Sequence, residues 1–370
     1  MNKTSIEWCR TYAPDGSFAE GYSVNPIRFR PKGSDRLTTM CQKTSPGCTR
    51  CYASDIVRRF YPKNLTYPGY TAQGIAAGDF VLDEKQLVSV LKHKKPCKIF
   101  WMDMTDGFGD WVPFEMLDKC FAVCALTPHI THMFLTKRPE NMLRYYKEDR
   151  YPEVIRAADY FRQGIPTLGN IPVSNPFRFP YKNIWVGTSC ENQKYADERI
   201  PVICQVPAKV HFISAEPLIG PIDLGWPKSI YPDGPPMCCS GLSNQCGCMG
   251  MPTDPPLCYG LEFCIVGGES GPKARPMASS WAGDLQEQCA RWNIAFFYKQ
   301  AGEFIDAGHE EFGRLPSAPI VHVRSDGTLW PKDGVPTDED ADVLTMKRVG
   351  RKRAGDTLYG KVYHEFPEAR

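Results

Sequence analysis

Apolar residues recur along this chain in two alternating patterns. Short apolar runs at 97–102, 131–135, 183–188, 209–214, 263–266 and 294–298 have the length and composition of buried strands. Between them, apolar positions fall three and four apart at 113–126, 139–146, 193–204 and 279–292, the period of helices that bury one face. A further helix is expected over 52–60, with Ala53, Ile56, Val57 and Phe60 on its apolar side, and a first strand over 22–27. Pro113 stands where a helix would begin, a position at which its missing N–H costs nothing. Six or seven strand–helix units in series predict an α/β fold with a parallel sheet, wound into a full or partial (β/α) barrel. A doubly wound open sheet is the alternative, and no G-x-G-x-x-G follows a strand to support it.

The pattern divides the chain into a polar N-terminal segment with the first strand (1–40), the barrel (41–300) and an extension of weaker periodicity (301–370). Two insertions interrupt the barrel: 147–182, rich in Pro, Arg and aromatic residues, and 219–261, rich in Pro, Gly and Cys.

Charge changes the picture little. The 370 residues carry 44 basic and 42 acidic side chains, a net charge of +2, so there is no global basic field for nucleic acid. Any such contact would come from the basic segments 28–36 and 346–353 and from 147–182, where Arg and Lys mix with Tyr and Phe. No apolar run reaches the roughly 18 residues of a membrane span, so no membrane partner is expected. The first residues lack the apolar core of a signal peptide, and a cytoplasmic location is expected.

Sixteen cysteines in such a chain point to metal binding or chemistry rather than to a disulfide scaffold. Cys41, Cys48 and Cys51 are spaced C-x6-C-x2-C. Pro46-Gly47 between them predicts a tight turn with Gly47 at positive φ, which would let the thiolates converge. A closed zinc site wants four ligands, and a [4Fe–4S] cluster normally takes four cysteines. A cluster held by three leaves one iron open to a substrate or cofactor. A zinc knuckle completed from elsewhere is the alternative. A second group, Cys238, Cys239, Cys246, Cys248 and Cys258, lies where Gly, Pro and Ser dominate, so that a metal such as zinc would supply the folding energy.

In parallel barrels the chemistry sits where the strands end. The second expected strand runs into Asp103, Thr105 and Asp106, and the third into Lys137 and Arg138. The fourth runs into Ser189, Glu191 and Asn192, the fifth into Glu216, the sixth into Glu269 and the seventh into Lys299. This mixture of signs suits a zwitterion, its amino group held by carboxylates and its carboxylate by Lys or a bidentate Arg.

Several stretches carry a family likeness: Ser5-Ile-Glu-Trp8, Asn25-Pro26, the Ser45-Pro-Gly-Cys48 turn with Cys51-Tyr52, Leu135-Thr-Lys-Arg-Pro-Glu-Asn141, and Trp185 to Gln193. The run from Tyr195 to Pro201, Ser214-Ala-Glu-Pro-Leu218, and Val266 to Pro276 extend it over most of 5–300. Through these the chain resembles the phage "gene product thirty-seven/sixty-eight" family, a radical S-adenosylmethionine (SAM) type. Radical SAM proteins usually carry C-x3-C-x2-C, and the family resembled uses the longer first gap found here. This chain departs from it in the insertion that separates Asn25-Pro26 from Cys41.

The resemblance implies a barrel of radical SAM type, a [4Fe–4S] cluster on Cys41, Cys48 and Cys51, and SAM on the fourth iron. It implies an electron donor such as flavodoxin or ferredoxin. By strand order, Asp103, Thr105 and Asp106 would meet the SAM amino group, and Lys137 or Arg138 its carboxylate. Ser189, Glu191 and Asn192 would bind the ribose, and Glu216 and Glu269 would be catalytic residues facing SAM or substrate. The second cysteine group would hold zinc or an auxiliary iron–sulfur cluster. Phage relatives suggest DNA or a modified nucleotide as substrate, with isomerisation of an amino-acid-decorated thymine as one reaction and a host cytoplasm as its place. Radical repair or methyl transfer are other outcomes. A zinc-stabilised nucleic-acid-binding protein without redox chemistry is the alternative of a different class.

Overall fold

A computed structural model describes residues 1–12, 18–169, 171, 173, 182–225, 260–306, 309, 312–315, 317–331, 334, 336, 340 and 342–367. The chain divides into two compact units, Met1–Thr188 with Gln205–Val210, and Ser189–Cys204 with His211–Arg370.

The first unit opens with β1 (Asn2–Lys3), the small pair β2 (Thr11–Tyr12) and β3 (Phe18–Ala19), β4 (Tyr22–Val24) and β5 (Ile27–Pro31). It continues through α1 (Tyr52–Phe60), α2 (Ala72–Ala76), β6 (Gly78–Leu82), α3 (Glu84–Leu91), β7 (Cys97–Trp101) and α4 (Phe114–Leu126). Then come β8 (Ile130–Thr136), α5 (Pro139–Lys147), α6 (Tyr151–Gly164) and β9 (Ile184–Ser189). β4, β7, β8 and β9 run parallel, and β1 adds an antiparallel edge. All five residues of β7 are buried, as expected of a strand covered on both faces. Behind it Trp101, Phe134, Phe121 and Tyr145 stack in series with ring centroids 5.1–5.4 Å apart.

One chain of polar groups inside this packing is hydrogen-bonded from end to end. Trp101 Nε1 donates to His132 Nδ1 (3.0 Å), so the imidazole proton lies on Nε2 and faces Thr127 Oγ1 (3.0 Å). That hydroxyl in turn donates to Val123 O (2.7 Å). Burial pushes the His132 pKa down to about 3.

A satellite module hangs on this sheet. β5 and β6 form an antiparallel pair. Phe29, Met40, Ala53, Val57, Tyr61 and Tyr70 make its core, against which Cys41 and Cys51 pack. The helix expected over 52–60 is present, with a different division of faces. Ala53 and Val57 are buried, whereas Tyr52, Ile56 and Phe60 are exposed.

The second unit holds α7 (Gln193–Ile203), β10 (Val210–Ala215), β11 (Phe263–Gly267), α8 (Ser279–Arg291) and β12 (Ala295–Gln300). The extension forms an antiparallel sheet of β13 (Phe304–Asp306), β14 (Ile320–Arg324) and β15 (Val343–Arg348), followed by the short α9 (Arg351–Ala354). β10, β11 and β12 are parallel. Trp281, Leu285, Phe296, Tyr298 and Met346 belong to one buried cluster, so α8 and the extension share a core with the strands.

The main sheet is mostly parallel and has the order β1-β4-β7-β8-β9-β10-β11-β12. The expected α/β class is therefore present. The sheet is not closed among the described residues, so a full barrel is corrected to an open sheet with β1 and β12 at its edges. The order follows the chain without reversal, unlike a doubly wound sheet with its switch point. The expected insertion at 147–182 carries α6, which buries Val154, Ala157, Ala158 and Phe161. No helix among the described residues is long and apolar enough to cross a membrane.

Candidate functional site

The cysteine loop starts from a fixed point. Thr38 pairs with Phe29 through both backbone groups (2.8 and 2.9 Å), and Met40 is buried in the module core. After Cys41 and Gln42, the Lys43 amide donates to Tyr70 O (3.2 Å). The turn before Cys48 is a single 3-10 turn, Pro46–Cys48, in which the Cys48 amide donates to Ser45 O (2.9 Å). Gly47 is not left-handed as expected; Pro46 at the first helical position supplies the needed φ instead. Cys51 is the residue before α1, and its carbonyl accepts from the Asp55 amide (3.3 Å).

Cys41, Cys48 and Cys51 are each half-buried, and none is in a disulfide. Cys51 lies within electrostatic reach of both others. Burial pushes the Cys41 thiol up to about 12, and the Asp106 charge adds to this, while an Asp106 backbone hydrogen bond and Arg138 oppose it. Burial also raises the Cys51 thiol, against hydrogen bonds from the Ser54 and Ala53 amides at the start of α1.

Parallel strands bring their C-terminal ends together, and in this unit those ends serve the cysteine loop. Thr105 Oγ1 donates to Met40 O (2.6 Å). Arg138 Nη2 donates to Gln42 O (3.1 Å), Nη1 meets Asp106 Oδ2 (3.2 Å), and the guanidinium lies 4.6 Å from the Trp111 ring centroid. Asp106 uses both oxygens: Oδ1 accepts from Thr136 Oγ1 (2.7 Å) and the Phe108 amide (3.1 Å), and Oδ2 also accepts from the Lys137 amide (3.0 Å). Asp103 accepts from Asn25 Nδ2 (2.6 Å), and its carbonyl accepts from the Tyr52 hydroxyl (2.7 Å). Burial pushes its carboxyl up, opposed by hydrogen bonds from Asn25 and Ser23. Lys137 is half-buried, and its charge reaches Cys51.

The donor set fits an iron–sulfur cluster. All three donors are soft sulfurs, unpaired with one another, and helix amides face one of them. Among the described residues no group of three or more His, Cys, Asp or Glu is gathered as a metal-ion site.

The strand-end groups of the second unit are matched among themselves. Glu191 is fully buried opposite Arg199 Nη1 (3.2 Å), which also donates to the carbonyl of buried Ser189 (2.7 Å). Asn192 caps α7 by accepting from the Tyr195 amide (3.4 Å). Glu269 is held by Arg275, whose amide (2.8 Å) and Nε (2.9 Å) donate to Oε2 and whose Nη2 donates to Oε1. Glu216 and Lys299 pair across the end of β11, with side chains 20% and 17% exposed. Two glycines pack closely here. A Cβ on Gly267 would lie 3.3 Å from Glu216 Cδ, and one on Gly268 would lie 2.2 Å from Ala301 O. Beside them Gln300 Nε2 donates to Gly268 O (3.1 Å), while its buried Oε1 has no partner among the described residues.

The site as expected omitted Asn25, Tyr52, Tyr70, Arg199 and Arg275. Arg275 stands in the same motif run as Glu269, which it holds, and Arg199 in the run that follows the one carrying Glu191, which is a readable signal. Tyr70 has none. Cys238, Cys239, Cys246, Cys248 and Cys258 lie outside the described residues. Of the basic run at 346–353, Lys347 is buried with Nζ on Phe312 O (2.6 Å), and Arg348 donates to Gly271 O and Pro272 O (both 2.7 Å). Arg351, Lys352 and Arg353 remain exposed.

The chain belongs to a family described as a protein of unknown function, DUF5131, whose profile matches residues 36–367. No curated protein and no solved structure matches it.

Proposed function

We propose that this member of the DUF5131 family is a radical SAM enzyme of partial-barrel type that acts on a base of DNA or on a modified nucleotide. The observation that carries the reading is the loop of three half-buried, unpaired cysteines tied to the ends of β7 and β8. Cys41, Cys48 and Cys51 would hold a [4Fe–4S] cluster with an iron left for SAM. When bound and reduced, that pair supplies a 5′-deoxyadenosyl radical able to abstract hydrogen from a substrate.

The chain's own residues bind and position. Asp103, with one oxygen on Asn25, and half-buried Lys137 are the strand-end groups of the first unit suited to the amino and carboxylate ends of SAM. Thr105, Asp106 and Arg138 support the loop. In the second unit, Glu191, Asn192 and Glu269 are committed to Arg199, a helix cap and Arg275, so Glu216 with Lys299 is the pair suited to meet a substrate. Isomerisation of an amino-acid-decorated thymine in phage DNA is the reaction proposed, in a cytoplasm that supplies flavodoxin or ferredoxin as electron donor. The exposed cations Arg351, Lys352 and Arg353 suit a phosphate backbone.

The test is anaerobic. Protein reconstituted with iron and sulfide, reduced and given SAM is expected to be brown and to release 5′-deoxyadenosine, and Cys48→Ala to do neither. A colourless protein that retains zinc and leaves SAM intact overturns the proposal in favour of a zinc-stabilised nucleic-acid-binding protein.

A further inference from the structure

The residues on both sides of Cys41 are gripped from outside their own module. Met40 O accepts from Thr105 Oγ1 at 2.6 Å, and Gln42 O accepts from Arg138 Nη2 at 3.1 Å. The two donors are remote in sequence and come from different strand ends, Thr105 after β7 and Arg138 after β8. Both are buried. Neither donor is loose. Arg138 is fixed by Asp106 and by the Trp111 ring, and Asp106 is fixed by Thr136 and by the amides of Phe108 and Lys137. A buried carbonyl needs a donor, but here two donors meet the two carbonyls that bracket one cysteine. Pinning both carbonyls restricts the short backbone stretch between them, the φ and ψ of Cys41 and of Gln42, and with it the direction of the Cys41 Cα–Cβ bond.

We propose that Thr105 and Arg138 are positioning residues that hold Cys41 by the carbonyls on either side of it and so set where its sulfur meets the metal. The metal-directed half of this inference rests on the function proposed above; the ordering of the loop does not. A guanidinium fork serves both Asp106 and Gln42, which the single ammonium of Lys does not reproduce. Thr105 needs only its hydroxyl, so Ser is expected to replace it and Val is not.

The experiment uses the full chain, first without metal. Amide hydrogen exchange over 41–51 is expected to rise about fivefold in Thr105→Val and in Arg138→Lys, the size set by losing one buried hydrogen bond. Exchange in α4 is expected to stay at the wild-type level, showing that the sheet is intact. Thr105→Ser is expected to match wild type. After anaerobic reconstitution, iron and sulfide per chain are expected to fall in the two disabled variants and recover in Thr105→Ser. Unchanged exchange over 41–51 in both variants overturns the inference, whatever their iron content. Should Arg138→Lys fail to fold, Thr105→Val decides alone, since it keeps side-chain shape. Should wild type take up no cluster, the proposed function falls, and the exchange comparison still decides whether the loop is held.

Discussion

The strand ends of the two units solve the burial of polar groups differently. In the first, Thr105 and Arg138 reach out to backbone carbonyls of a loop, with Asp106 bracing the arginine. In the second, Glu191 with Arg199, Glu269 with Arg275, and Glu216 with Lys299 pair off, and the one carbonyl that Arg199 also reaches, that of Ser189, lies at a strand end rather than in a loop module. Residues of one chemical kind at equivalent places thus do unlike work. A cation beside a carboxylate closes on itself unless part of its donor set is left over, as Arg138 Nη2 is. The difference also separates the three pairs of the second unit. Glu191 is sealed, whereas Glu216 and Lys299 retain solvent contact.

The sharpest way to break this comparison is to unpair the sealed group. Glu191→Ala leaves Arg199 buried without its counter-charge, and a loss of about 3–5 kcal/mol is expected in urea unfolding. A loss near zero would mean that the pair is not sealed in solution.

A smaller effect tests burial by neutral partners. His132 has its pKa lowered from 6.5 to about 3, and so contributes stability that is present above pH 6.5. The unfolded chain takes up the proton first, so that stability is lost as pH falls from 6.5 toward 3, by about 1.4 kcal/mol per pH unit. Urea midpoints in this window are expected to fall less steeply in His132→Gln. Equal slopes would remove His132 as the cause.

Glu216→Gln is expected to change stability by about 1 kcal/mol or less, because the pair is partly solvated. If the proposed function holds, product formation falls far more than stability. Loss of both in proportion would make the pair structural. The smallest change expected is Tyr52→Phe, which removes the hydroxyl bond to Asp103 O at an exposed ring. About 1 kcal/mol or less is expected in urea unfolding. A larger loss would show that Tyr52 anchors the start of α1.

Much of the fold was legible because burial imposes a period. The apolar run at 97–101 became β7, and the three-and-four spacing became α4, α5, α7 and α8. Where composition obscured the period, elements were missed. Val154, Ala157, Ala158 and Phe161 have helical spacing, but the Pro, Arg and aromatic residues around them read as an insertion rather than as α6. β5 and β6 are five residues each and pair across some fifty residues of intervening chain, so neither announces the other.

The site divides the same way. By itself the sequence determined the α/β alternation, the three cysteines and their spacing, and the gathering of polar residues where strands end, because each is a local property of composition and order. Tertiary structure alone decided what those polar residues hold. Thr105 meets Met40 across 65 positions and Arg138 meets Gln42 across 96. A hydrogen bond to a backbone carbonyl constrains the donor but not the identity of the acceptor residue, since every residue carries the same carbonyl. Such a contact leaves no mark at the accepting position in the sequence, and only the folded chain displays it.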